Sequence, residues 1–258
     1  MTTTNSTHIS HWQTSITWVK ECLATIRKQP LKWLTVALAY LAIFLLLPAA
    51  LPIVLTYLLA LLYPTFLVFA VGLYREAYAG RTTSITSLIN QIKPAMMSLL
   101  LLGMICVAYS LMVAYFTETD SAALKLLIDS KAETHKILAQ AFPLILKALM
   151  FLLPLMMATW FAPMLIAFQG LTVWQAIKSS IAGSIQGMLS MGLSWLIITF
   201  GMALLMIVFG AVFGLVSIVL PTLGIFLTSI FLIISFLFAT ALMLAFQFVT
   251  YRDICRDI

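Results

Sequence analysis

Residues 31–75 read LKWLTVALAYLAIFLLLPAALPIVLTYLLALLYPTFLVFAVGLYR. This apolar run, Leu31 to Arg75, is 45 residues long (75 − 31 + 1). As one helix at about 1.5 Å per residue it would be roughly twice the hydrocarbon thickness of a bilayer, so it has to fold back on itself. The segment Leu47-Pro48-Ala49-Ala50-Leu51-Pro52 supplies the break, because each proline removes a backbone donor and crowds the preceding turn. The reading is two spans, Lys32 to Leu47 and Ile53 to Tyr74.

The same logic extends to the rest of the chain. A soluble domain carries roughly 25% charged residues and 45–50% apolar ones. Here 9% are charged and 63% hydrophobic, with a mean hydropathy of +1.12. Only lipid can solvate that surface. A third span is expected over Pro94 to Phe116, with proline in its first turn, where its missing donor costs nothing. A fourth runs from Phe142 to Phe168 and contains Pro154 and Pro163, which are expected to kink it. Met188 to Thr250 is again too long for one crossing. Gly210, Gly214, Pro221 and Gly224 are expected to place its turn, giving spans near Leu189 to Phe209 and Leu223 to Thr250. The fold class is therefore all-α: a polytopic bundle of six transmembrane helices with short amphipathic helices beside it. Thr117 to Gln140 is polar, and reads either as a separate helix or as an extension of the third or fourth.

Orientation follows from Lys and Arg in the loops. With the amino terminus inside, the inner side holds Lys20, Arg27, Lys28, Lys32, Arg75, Arg81, Lys93, Lys178, Arg252 and Arg256, and the outer side Lys125, Lys131, Lys136 and Lys147. Four acids lie on each side, so the net charges are +6 (10 − 4) and 0 (4 − 4). The expectation is a bacterial inner-membrane protein with both termini cytoplasmic. Met1 to Pro30 is polar or amphipathic and lacks the apolar core of a secretory signal, so the first span is expected to direct targeting.

Three amphipathic segments fall on the inner side. Residues 1–30 carry the first, with Trp12, Ile16, Val19, Leu23 and Ile26 on one stripe and Lys20, Arg27 and Lys28 available to headgroups. The second, Thr82 to Lys93, has Ile85, Leu88, Ile89 and Ile92. The third opens with the capping pattern Thr172-Val-Trp-Gln175 and aligns Trp174, Ile177, Ile181 and Ile185, with Lys178 nearby. Residues 251–258 form a tail in which Tyr251, Arg252 and Arg256 suit the inner interface. Trp12, Arg27, Lys28, Trp174, Lys178, Arg252 and Arg256 are thus the expected contacts to anionic lipid headgroups or to a membrane protein partner. The basic residues are spread over juxtamembrane segments, which argues against nucleic acid. A faint internal echo relates Pro64 and Gly72 to Pro163 and Gly170.

Catalysis needs convergent titratable groups. His8, His11 and His135 lie in the tail and the outer loop, and Cys22, Cys106 and Cys255 have no metal-ligand spacing. No metalloprotease, phosphate-loop or nucleophile-elbow motif occurs. No ionisable residue falls near the middle of a proposed span, which disfavours ion-coupled transport. Gln169, Gln247, Thr199, Ser194, Ser110 and Thr159 read as polar bridges between helices. The expectation is a protein that is not an enzyme and needs no cofactor: a scaffold or accessory component of an envelope system, or alternatively a permease or lipid-handling protein for an apolar or amphiphilic substrate.

Trp160-Phe-Ala-Pro163, the turns at Leu47-Pro48 and Leu220-Pro221, and Tyr251-Arg-Asp-Ile254 together resemble an uncharacterised family of proteobacterial six-helix inner-membrane proteins. That family is distantly similar to the membrane domains of some glycerophosphodiester phosphodiesterases. The resemblance covers roughly Gln29 onward. It implies the six-helix topology and no particular activity.

Overall fold

In the computed structural model, which describes residues 10–81, 85–131 and 133–255, the chain is an all-α bundle without strands among the described residues. The described residues form, in order, α1 (His11–Lys28), α2 (Pro30–Ala50), α3 (Ile53–Tyr78), α4 (Ile85–Ile92), α5 (Met96–Asp129), α6 (Thr134–Thr159), α7 (Ala162–Gln169), α8 (Val173–Val219) and α9 (Pro221–Ile254). Six stretches are long and apolar enough to cross a membrane: α2, α3, α4 with α5, α6 with α7, α8, and α9. The protein is therefore multi-pass. It forms two compact units, one of residues 1–50, 70–84 and 186–258, the other of residues 51–69 and 85–185. Helices α3 and α8 contribute a segment to each.

In the first unit, α1 opens on a capping box: Gln13 N donates to Ser10 Oγ and Ser10 N to Gln13 Oε1, both at 3.3 Å. Arg27 and Lys28 sit in its last turn, where cations suit the helix dipole. One residue, Gln29, links it to α2, whose first residue Pro30 needs no amide donor. Near the far end of α2 the ladder widens to a π-turn over Ala42–Leu46, and Leu47 N donates to Ala42 O. That extra residue per turn absorbs the ring of Pro48, so the helix runs on to Ala50 and breaks at Leu51 and Pro52, not at Pro48.

Helices α8 and α9 form a hairpin turning at Leu220, before Pro221. The pair keeps a regular antiparallel register: Trp195 meets Phe246 at 5.8 Å, Phe209 meets Phe231 at 4.8 Å, and Gly224 lies against Ser217. Gly210 and Gly214 lie inside α8 and do not make the turn. Burial is concentrated at the α1 end of this unit, where Thr240 to Ala241, Leu242, Leu244 and every residue from Ala245 to Thr250 are buried. Between Pro221 and Ala239 only Gly224 and Ser235 are buried. The 19 residues 221–239 rise about 28 Å, close to the ~30 Å of one hydrocarbon core.

In the second unit, α4 reaches α5 through a single 3₁₀ turn at Lys93–Ala95. Its expected opening residues, Thr82 to Ser84, lie outside the described residues. The polar stretch 117–140 is no separate helix: it lengthens α5 to Asp129 and begins α6 at Thr134. At 34 residues, α5 is about 51 Å long, some 20 Å more than the hydrocarbon core. The fourth span is two helices. Pro143 and Pro154 lie inside the uninterrupted α6, whereas the chain bends at Trp160 and Phe161, immediately before Pro163 in the first turn of α7. Gly170, at φ 69°, closes α7 in the left-handed conformation glycine favours. The expected capping box at Thr172 and Gln175 forms, but it starts the 47-residue α8 and not a separate amphipathic helix. The echo between Pro64–Gly72 and Pro163–Gly170 does not extend to local structure, since Pro64 and Gly72 both lie inside α3.

Candidate functional site

Polar side chains converge at two places, one in each unit, and both are built largely from serine on α8.

In the second unit the site is the bend between α6 and α7. In an unbroken helix the Phe161 amide would donate to the Met157 carbonyl four residues earlier. Here Ser180 stands between them. Its hydroxyl accepts from Phe161 N at 3.0 Å and donates to Met157 O at 2.7 Å, while Ser184 Oγ approaches the same carbonyl at 3.3 Å. Both backbone groups at the break are therefore satisfied by the neighbouring helix, as the absence of water in a bilayer requires. Phe161 to Ile166 are all buried around it.

In the first unit, α1 is fastened to α8 and α9. Ser15 Oγ donates to Ser190 O at 2.8 Å, Ser194 Oγ donates to Ser190 O at 2.8 Å and approaches Ser15 O at 3.5 Å, and His11 Nδ1 lies 2.9 Å from Ser190 Oγ. One turn along, Trp18 Nε1 donates to Asp253 at 2.8 Å. Arg252 holds Asp253 at 2.6 Å and Glu21 at 2.8 Å, with its guanidinium 4.8 Å over the Tyr78 ring. At the corner into α2, Trp33 stacks on Tyr74 at 3.7 Å and donates to Thr25 O at 3.0 Å, and Tyr74 donates to Ala241 O at 2.9 Å. Cys22 is fully buried beneath α1. Burial, then the adjacent Glu21 charge, pushes its thiol up to about 12; burial alone does the same for Cys255.

The sequence-derived contact residues divide. Arg252 is in the first-unit cluster, tied to Glu21 and Asp253 and so turned toward α1. Trp12 is 54% exposed and Trp174 65% exposed, with Lys178 Nζ 5.2 Å over the Trp174 ring. Arg27, Lys28 and Lys178 are exposed, and Arg256 lies outside the described residues. Sequence reasoning did not single out His11, Ser15, Trp18, Trp33, Tyr74, Ser180, Ser184 or Ser190 as a group. A signal for part of it exists, because Ala176, Ser180, Ser184, Gly187, Ser190 and Ser194 recur at three- and four-residue spacing, the small-residue stripe of closely packed membrane helices.

Chemically, the first-unit cluster has a hydroxyl and an imidazole within hydrogen-bond reach, the first requirement of an activated nucleophile. The hydroxyl facing the imidazole is that of Ser190; the surrounding amides, however, lie within helices, and the Ser15 and Ser194 hydroxyls are directed at backbone carbonyls, Ser15 at His11 O (2.7 Å) and Ser190 O, Ser194 at Ser190 O. Among the described residues no group of three or more His, Cys, Asp or Glu side chains could hold a metal ion. Each unit also has an open apolar groove. One of about 470 Å³ is lined by Leu55, Leu58, Leu61, Met104, Val107 and Leu111, and one of about 400 Å³ by Met202, Met206, Leu232 and Phe236. Beside the first, Gly103 lies against the Leu61 backbone, where α3 and α5 touch. No protein-family model matches this chain, and no curated protein or solved structure is significantly similar to it.

Proposed function

We propose that this multi-pass protein is a non-enzymatic scaffold or accessory component of a bacterial inner membrane, with α1 and the end of α9 on the cytoplasmic side, organising lipid around a membrane protein partner in an envelope system. The observation that carries the reading is how the polar groups are used. Serine, tryptophan, arginine and carboxylate side chains that converge are spent on joining helices, and the grooves that remain are apolar. The ten-to-four division of Lys and Arg supports the orientation. Membership of the six-helix inner-membrane family belongs to the same proposal. Native mass spectrometry of protein extracted gently from its own membrane tests it: a stoichiometric protein partner is expected, and its absence across extraction conditions would overturn the scaffold reading.

The lateral grooves favour a second reading, lipid handling. They are open and are lined by side chains that acyl chains would wet. A specific retained lipid without any protein partner, lost on substituting Val107→Trp in the larger groove, would move this reading to first place.

A further inference from the structure

Of the apolar stripe of α1 only Ile26 falls on the face that packs on the protein. At about 100° per residue, Trp12, Ile16, Val19 and Leu23 occupy an arc of about 60°. Ser15, Trp18, Cys22 and Ile26, the buried residues of α1, occupy the adjacent arc of about 80° on one side. Lys20 and Arg27 follow on the other side, about 20–40° beyond the stripe. Trp12 and Leu23 are 54% and 42% exposed, and Ile16 and Val19 between them are half-buried. The helix thus has a docked face, a partly open apolar face and a basic border, in that rotational order.

The charges agree with the faces. The exposed ions of α1 are Lys20, Arg27 and Lys28, with Lys32 exposed at the start of α2. The one acid of α1, Glu21, is held by Arg252 at 2.8 Å. What α1 presents outward is therefore apolar surface edged by positive charge that pairs with no acid among the described residues.

The start of α8 repeats the arrangement independently. Its docked face is small and hydroxylic, with Val173, Ala176, Ser180, Gly183 and Ser184 buried. Trp174, Ile177, Ile181 and Ile185 lie on the adjacent arc, Trp174 and Ile185 well exposed, and Lys178 borders them on the far side, about 20° further. The rotational order is the same.

We propose that α1 is a membrane-surface helix, docked to its own protein through Ser15, Trp18 and Cys22 while Trp12, Ile16, Val19 and Leu23 enter the acyl boundary of an anionic leaflet and Lys20 and Arg27 meet its headgroups. An interfacial helix binds by buried apolar area plus attraction to anionic lipid, and α1 supplies both on neighbouring faces. Docking on the bundle sets the roll angle of the helix, so its apolar face is held toward lipid. This deepens the scaffold reading by naming the lipid class its inner face takes.

The test uses the full chain, its native cysteines replaced by alanine, in nanodiscs of phosphatidylcholine alone or mixed with phosphatidylglycerol. An environment-sensitive fluorophore is placed at Leu23→Cys or, about 120° round the helix and beyond the basic border, at Thr17→Cys. The label at position 23 is expected to be blue-shifted and quenched by lipids brominated in the acyl chain, more strongly with phosphatidylglycerol, and the label at 17 to be unquenched. Lys20→Gln with Arg27→Gln should remove most of the phosphatidylglycerol-dependent increase. A position-23 label that is water-exposed and unquenched in both nanodiscs overturns the proposal. So does one shielded only in native membranes, because a protein would then be the covering. The nanodisc result does not depend on cellular orientation or on a partner, so its failure is separable from failure of the scaffold reading.

Discussion

Substituting Asp253→Ala should release α1 from the bundle by a measurable amount. The carboxylate accepts from Trp18 Nε1 at 2.8 Å and from Arg252 Nε at 2.6 Å. Trp18 is only 4% exposed, so its indole N–H would lose a partner where water is scarce. A hydrogen bond to a charged acceptor contributes about 1.5–3 kcal/mol, and a stranded buried donor costs a similar amount. The Arg252 contact adds little, because Asp253 is about a third exposed and Arg252 keeps Glu21. Docking should therefore weaken by about 2 kcal/mol, which raises the undocked population roughly thirtyfold at 1.36 kcal/mol per decade. Cys22 reports that population. It is fully buried when α1 is docked, with a thiol pushed up to about 12, and regains an ordinary value of about 8.5 when α1 lifts. Maleimide labelling at neutral pH, with each cysteine resolved by peptide mass spectrometry, should show Cys22 reacting roughly thirtyfold faster. Trp18→Phe should do nearly the same, and the double variant should be little worse than either single one. A Cys22 rate that rises less than about threefold, under about 0.7 kcal/mol, would refute the argument.

Trp33→Ala deletes a fully buried ring stacked on Tyr74, and thermal unfolding should show a loss of about 3–5 kcal/mol. Gly103→Val drives a side chain into the Leu61 carbonyl and should cost about 1–3 kcal/mol or more, while Gly201→Ala, inside a helix with open space around it, should hold or slightly raise the melting temperature. Lys147→Ala breaks a 2.8 Å pair with Asp120, but both partners are over a third exposed, so denaturation should register under about 1 kcal/mol. Because the folded state keeps Cys22 protonated up to about pH 12, unfolding releases a proton above the ordinary thiol pKa. Stability from this group is complete below about pH 8.5 and falls by about 1.4 kcal/mol per unit from there toward pH 12; Cys22→Ala should flatten that alkaline decline.

The spans were legible because a bilayer makes length and apolarity sufficient evidence, and Leu31 to Arg75 could be nothing but a hairpin. Their ends were less so. Proline marks where a ladder is strained, not how the strain is relieved: a π-turn carries α2 past Pro48, and Ser180 lets the chain bend at Phe161 while Pro154 stays in a continuous helix. The amphipathic stripes were found, but the side that packs on protein was not, because in a membrane protein a bulky apolar stripe is equally at home against lipid. The small-residue spacing of α8 was the better guide to packing. Ser194 alone was read as helix glue, when Ser180, Ser184 and Ser190 belong to the same stripe. The reading places Arg252 at the inner interface, and its pairing with Glu21, like that of Asp253 with Trp18, is out of reach, since partners more than two hundred residues apart leave no local pattern.

That separation has a consequence during synthesis. The surface that receives α1 is made of Ser190, Ser194, Arg252 and Asp253, the last of them 235 residues after Trp18. At about 5–20 residues per second, α1 waits roughly 12–47 s before its seat exists. Throughout that interval Trp18 and Cys22 have no cover from the bundle, and a chain that stops short of α9 never provides it. A truncated product would thus expose at its beginning what a finished one conceals, giving proteolytic surveillance a means of telling complete chains from incomplete ones.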